Sequence, residues 1–213
     1  MEPINSLCPL CNGSARFFVT TQMRTYHKCE TCLGVFLDRA QLADAQEEKA
    51  RYLEHNNEVD DPRYQDFVRP IVSSILADFG RNHKGLDFGA GTGPVITKML
   101  SDAAYDVVPY DPYFHNFPEL LNEQYDYIAC CEVIEHFYRP LREFGILRNL
   151  LNPGGALYCM TVLYDEALNF EAWYYKNDQT HAFFYHPKSI EWIKGHFKFK
   201  AVEIQGRLIT FRS

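Results

Sequence analysis

One stretch constrains the chain more than any other, KGLDFGAGTGPVITKML over residues 84–100. Leu86, Asp87 and Phe88 form a short apolar run closed by an acid, the pattern of a buried parallel strand. Gly89, Ala90, Gly91, Thr92 and Gly93 follow as a tight turn, and 94–100 reads as a helix with Pro94 in its first turn, where a missing N–H costs nothing. Strand, glycine turn and helix together offer bare backbone and helix N–H groups to a nucleotide-like ligand. The same pattern alone also fits a generic strand–turn–helix corner.

The neighbouring segments strengthen the ligand reading. Asp60–Asn82 carries Phe67, Val68, Ile71, Val72, Ile75, Leu76 and Phe79 at helical spacing, so one face packs on a sheet, and Gly80 closes the helix. Tyr64, at its start, reads as core within reach of the ligand crevice. YDVVPYD (105–111) is a second strand ending in Asp111, twenty residues beyond Gly91. An acid at that offset accepts from both hydroxyls of a ribose; the alternative is a turn aspartate before Pro112. YDYIACC (125–131) is a third strand with EVIEHF (132–137) at its carboxyl end, where open α/β sheets bind ligands. Residues 139–151 form a helix, NPGG (152–155) a turn, and 156–163 another buried strand. A loop rich in aromatics follows, then a strand start at 182–185 and a helix near 187–194. Residues 197–204 and 208–212 alternate as a closing antiparallel hairpin.

The N-terminal part needs its own explanation. Cys8, Cys11, Cys29 and Cys32 stand in a C-x2-C-x17-C-x2-C pattern, a spacing suited to a tetrahedral thiolate zinc site. The stretch between the pairs has the β-branched and aromatic content of a hairpin. So small a unit buries too little apolar surface to fold unaided, and metal supplies the deficit. Disulfides and a redox dithiol are the alternatives. Four thiolates leave no open position, so this Zn2+ is structural. Residues 39–59 are polar and doubly charged and read as a linking helix on the surface, with His27 and His55 as solvated residues rather than ligands. Cys130, Cys131 and Cys159, in apolar runs, read as small buried hydrophobes. The domain division is then 1–38, 39–59 and 60–213.

Composition sets the outer bounds. The 213 residues carry a net charge of −7, which argues against a broad nucleic-acid face. No run approaches the roughly 18 apolar residues of a membrane helix, and the N-terminus has no basic-then-apolar signal region. A cytoplasmic location is the default expectation.

DFGAGTG, the acid after the second strand, YDYIACCEVIEHF and LLNPGGAL, in that order, resemble the class I S-adenosylmethionine-dependent methyltransferases over about residues 60–213. EVIEH is similar to the subgroup containing ubiquinone-biosynthesis O-methyltransferases, and the N-terminal part resembles the zinc-ribbon appendage of some bacterial methyltransferases. The resemblance implies an α/β fold: a Rossmann-like sheet with helices on both faces, plus the small ribbon. It implies that Asp87, Gly89, Ala90, Gly91 and Gly93 surround the methionine portion of S-adenosyl-L-methionine, that Asp111 and Pro112 hold the ribose, and that Glu132 and His136 lie at the cofactor–substrate face. Thr180 and His181, in DQTHAFFY, resemble a segment that enters the active site beside the acceptor. His181, before His136, is the candidate base. One departure from the family is plain: only thirteen residues separate Asp111 from Tyr125, too few for the usual helix–strand–helix excursion. A truncated sheet edge is expected, with Phe114, Asn116 or Phe117 meeting the adenine.

The acceptor is expected to be a small molecule, a sugar nucleotide or a phenol, under a lid drawn from Tyr164, Trp173, Tyr174, Tyr175, Phe183, Phe184 and Tyr185. The ribbon is a possible protein-docking unit. Two rival functions remain. A nicotinamide oxidoreductase requires glycine at 94 or 96, where Pro94 and Ile96 stand. A non-catalytic binding module would keep the fold as a vestige.

Overall fold

The computed structural model describes residues 6–54 and 58–213. Two sheets organise them. The larger is built from β5 (Lys84–Phe88), β6 (Asp106–Tyr110), β7 (Tyr125–Cys131), β8 (Leu151–Met160), β10 (Ala201–Gln205) and β11 (Leu208–Arg212). Its order is β10-β11-β8-β7-β5-β6. The four strands from β6 to β8 run parallel and β11 and β10 return antiparallel. β6 is therefore an edge, and the truncation expected from the short 112–124 connection is present. That connection holds only a bridge between Asp111 and His115 and a 3-10 turn over Pro118–Asn122.

Alternation along β7 explains why both faces are covered. Tyr127 and Ala129 join a core with Val68, Ile71, Val72 and Ile75 of α2 (Pro62–Asp78) and Val95, Ile96 and Leu100 of α3 (Val95–Asp102). Ile128 and Cys130 point the other way, to Phe144 and Leu147 of α4 (Pro140–Asn149) and Ile190 and Ile193 of α5 (Pro187–His196). Period-2 alternation on a sheet buried on both faces produces this division. Pro94 is the residue before α3 rather than part of its first turn. Cys130 and Cys159 are buried as expected, whereas Cys131 is half-buried.

The smaller sheet contains β1 (Ser6–Leu7), β2 (Ser14–Thr21), β3 (Arg24–Cys29), β4 (Val35–Leu37) and, from far along the chain, β9 (Phe183–Phe184). The strand start expected at 182–185 is the two-residue β9, and it completes the N-terminal sheet beside β4. Gly34 permits this: a Cβ there would lie 2.4 Å from the Phe183 ring. Phe170, Trp173, Tyr164 and Phe184 pack with Tyr26, Val35 and Leu37 into a further core. Of the aromatics expected as a lid, Tyr164, Trp173 and Phe184, with the buried Phe183 and Tyr185, are packing residues that fasten the N-terminal sheet to the rest. His27 is also buried, its Nε2 3.0 Å from Asp38 Oδ2, which corrects the solvated reading; His55 lies outside the described residues.

The 39–59 segment is more than a surface linker. α1 (Ala45–Leu53) starts at a capping box in which Asp44 accepts from Glu47 N and Glu47 reaches back to Asp44 N. From there its side chains reach the site. Among the described residues no helix is long and apolar enough to cross a membrane.

Candidate active site

A cavity of about 720 Å³ opens at the carboxyl ends of β5, β6 and β7, where an open α/β sheet places its ligands. One part of its wall is Gly89, Ala90, Gly91 and Thr92 with Asp111, Pro112 and Phe114. Gly89 needs its lack of a side chain, since its φ is +77° and a Cβ would lie 2.4 Å from Val133. The turn is braced rather than floppy. Gly89 and Ala90 donate to the Tyr110 carbonyl at 2.8 and 3.1 Å, and Gly91 N donates to Asp111 Oδ2 at 3.0 Å. Asp111 Oδ1 accepts from Tyr113 N and Phe114 N at 2.8 and 3.1 Å. A carboxylate has about four acceptor directions, so this acid ties the loop down and keeps capacity for a ligand hydroxyl. Phe114 lines the cavity; Asn116 and Phe117 do not and are exposed.

Asp87 and Gly93 fall outside the wall. Asp87 is buried, and its Oδ2 accepts from Thr97 N at 3.1 Å and Thr97 Oγ1 at 2.8 Å. It thereby caps the first turn of α3 from the neighbouring strand. Burial pushes its pKa up from 3.8 to about 6, against the pull of the Thr97 bonds.

The other part of the wall comes from EVIEH and the aromatic loop: Glu132, His136, Tyr175, Asp178 and His181. Glu132 sits at φ +51°, and its carboxylate accepts from Arg207 Nη2 at 2.6 Å and Tyr175 Oη at 3.2 Å. Tyr175 Oη also donates to Glu135 Oε1 and lies 3.0 Å from Thr161 Oγ1. Glu135 is wholly buried; burial first, then the charge of Glu132, pushes its pKa up to about 8. Glu132 is raised too, mainly by burial, with Arg207 pulling it back. The His136 and His181 rings meet edge to face with centroids 4.8 Å apart. Tyr174 and Tyr175 are the two lid aromatics that reach the cavity.

α1 closes the remaining side. Glu48 accepts from Tyr113 Oη at 2.6 Å and Tyr52 Oη at 3.2 Å, and Arg51 donates to Asp178 Oδ2 at 2.8 Å. Tyr52 packs edge-on against His136 at 5.4 Å. Tyr64 and Phe67 of α2 also line the space, so Tyr64 serves both core and cavity. Sequence reasoning missed Glu48, Arg51, Tyr52, Glu135 and Arg207. Glu135 was visible inside EVIEH. The α1 contacts had no local signal, because a helix with no buried residue reads as solvated whether or not a cavity faces it.

The four cysteines converge: their sulfurs lie within 4.8 Å of one another. The two knuckles repeat one geometry. Cys8 N donates to Gly13 O and Cys29 N to Gly34 O, both at 2.9 Å, with Asn12 and Leu33 at φ +56° and +58°. Gly13 N donates to Cys11 Sγ at 3.4 Å and Thr31 N to Cys29 Sγ at 3.3 Å. Backbone N–H groups aimed at sulfur favour thiolates, and the donor set fits zinc.

A model of the family described as "Methyltransferase domain" matches residues 61–204, and the chain belongs to that family. Solved structures agree in fold. The 1,6-didemethyltoxoflavin-N1-methyltransferase of Burkholderia thailandensis, with bound 1,6-didemethyltoxoflavin and S-adenosylhomocysteine, is 14% identical at a TM-score of 0.54, covering 92% of this chain and 98% of its own. An O-methyltransferase family protein from the same organism is 16% identical at 0.52, covering 82% of this chain and 64% of its own. Human N-acetylserotonin methyltransferase in complex with SAM is 12% identical at 0.51, covering 70% and 53%. This chain thus spans under two thirds of the length of two of these three. No curated protein matches.

Proposed function

We propose that the protein transfers a methyl group from S-adenosyl-L-methionine to a small-molecule acceptor. The observation that carries this reading is the pairing, in one cavity, of the braced Gly89–Gly91 turn and Asp111 with the acid- and histidine-bearing wall of Glu132, His136 and His181. The turn and Asp111 hold the methionine and ribose portions, with Pro112 beside them; Phe114 takes the adenine. Asp87 and Gly93 act from behind the wall, by fixing the α3 end to which the turn leads. Bound S-adenosylmethionine supplies an electrophilic methyl carbon. The protein's share is alignment of that carbon with the acceptor, worth a large part of the barrier through orientation alone, and removal of the acceptor proton. His181, its Nδ1 2.7 Å from the Tyr175 carbonyl, presents Nε2 as the base, with His136 next to it. The titratable wall beside them suits a phenol or a sugar-nucleotide hydroxyl.

The cysteine knuckles hold a structural Zn2+ and form, with residues 1–38, a ribbon-like unit joined by α1 to the 60–213 methyltransferase domain; its outer face is available to a protein partner. Acidic net charge disfavours nucleic acid as acceptor, and a cytoplasmic setting keeps the thiols reduced. The test is an acceptor screen with methyl-labelled S-adenosylmethionine, read as S-adenosylhomocysteine released. Turnover on a small hydroxylated acceptor supports the reading. Cofactor binding without turnover on any acceptor class favours a non-catalytic binding module.

A further inference from the structure

The cavity has two ends, one toward each face of the main sheet. Tyr64 and Phe67 line it on the α2 side, where they pack with Val68, Ile71 and Ile75. Phe88, Tyr110 and Phe137 line it on the α4 side, in the core that holds Phe144 and Leu147. The alternation that turns Asp87 toward α3 turns Phe88 to the opposite face. The Phe88 and Tyr110 ring centroids lie 5.4 Å apart, and Phe137 stands edge-on to Phe88 at 6.4 Å. Phe114 lines the same cavity. Phe88 directly precedes Gly89, and Tyr110 and Phe114 flank Asp111. A ribose on Asp111 thus has an aromatic compartment beside it, whose flat apolar faces suit a heterocyclic base.

One polar side chain enters that compartment from a different element. Glu143, in the first turn of α4, is half-buried and lines the cavity. Its Oε2 is buried and meets no hydrogen-bond partner among the described residues. Burial pushes its carboxyl above the usual range, while its own N–H and the charges of Arg142 and Arg139 pull it back. An acceptor left unpaired among apolar rings is costly, and an N–H donor brought by a guest relieves the cost. Rotation about the last side-chain bond exchanges the two oxygens, so either one can turn to the guest.

We propose that the Glu143 carboxylate accepts a hydrogen bond from the exocyclic amine of the cofactor's adenine, with Phe88, Tyr110, Phe114 and Phe137 enclosing the ring. This rests on the methyl-transfer reading, which supplies the cofactor. It also accounts for the short 112–124 connection: with so little chain beyond β6, the polar contact to the base comes from α4 on the other side of the compartment. A purine without the amine leaves the carboxylate unpaired, so the site selects a 6-aminopurine.

Calorimetric titration of the zinc-loaded full chain with S-adenosylhomocysteine, and with its 6-deamino counterpart in which purine replaces adenine, tests the assignment. The wild-type protein is expected to bind the 6-deamino compound about tenfold more weakly, the scale of one lost hydrogen bond to a charged group. Glu143→Leu is expected to bind both compounds equally. Glu143→Gln, which keeps the size of the side chain, is expected to weaken S-adenosylhomocysteine several-fold and to leave the 6-deamino compound unchanged. Equal binding of the two compounds by the wild-type protein overturns the proposal, as does a Glu143→Gln variant that keeps the full wild-type preference or weakens both compounds alike. In each of those cases S-adenosylhomocysteine still binds the wild-type protein, and the methyl-transfer reading stands. Absence of S-adenosylhomocysteine binding to the wild-type protein removes that reading and this proposal with it.

Discussion

The amide of Ala182 donates to the carbonyl of Glu135 at 2.9 Å, while the carbonyl of Ala182 accepts from Leu37 N at 2.9 Å. One residue thus joins the N-terminal sheet to the turn that carries the buried acid, next to His181. Ser189 Oγ donates to Cys32 O at 2.8 Å, and Arg24 Nη2 to Gln179 O at 2.7 Å. The cysteine-bearing unit is a buttress for the cavity wall.

Loss of the cysteine site therefore reaches the wall. Cys29→Ser is expected to lower zinc content from one ion per chain to near zero and to destabilise the protein by several kcal/mol, since structural zinc contributes folding energy directly. Elemental analysis and urea unfolding check both. Full zinc retention in the variant contradicts the assignment.

Leu33 carries strain that Asn12, in the equivalent position of the other knuckle, bears more easily, because asparagine tolerates positive φ. Leu33→Gly is expected to raise stability by about 0.5–1 kcal/mol. A drop in the denaturation midpoint would show that the leucine side chain contributes packing that outweighs its backbone.

Gly89→Ala places a methyl group against Val133 at a φ of +77°. The turn must move, and S-adenosylhomocysteine affinity is expected to fall at least tenfold, measured calorimetrically. Unchanged affinity would mean that the turn does not cradle the cofactor.

Asp87 gives the ligand-free protein a distinctive pH dependence. Its folded pKa, about 6, lies above its ordinary 3.8, so between those values the unfolded chain ionises first. Stability is full below about pH 4 and declines as pH rises through 6, by about 3 kcal/mol from this group. Asp87→Asn should flatten that part of the curve in urea unfolding at pH 4 to 7. An identical slope in both proteins would refute the assignment.

The main sheet was legible because each strand left a local mark: an apolar run ended by an acid, a glycine turn, or the thirteen-residue gap after Asp111 that forces β6 to the edge. The cavity wall was half legible for the same reason. Gly89, Gly91, Asp111, Glu132, His136 and His181 all stand at strand ends or in compact motifs. What escaped depends on pairings between distant segments. Phe183 and Phe184 look like any apolar pair, and only tertiary contact with Val35 and Phe36 makes them the last strand of the N-terminal sheet. Arg207 occupies an ordinary hairpin turn, and nothing local announces its bond to Glu132.

The most direct measurement is calorimetric titration of the zinc-loaded protein with S-adenosylmethionine, S-adenosylhomocysteine and NADH. The account predicts saturable one-to-one binding of the first two and none of the third. Failure of both sulfur compounds to bind while zinc is retained would contradict it.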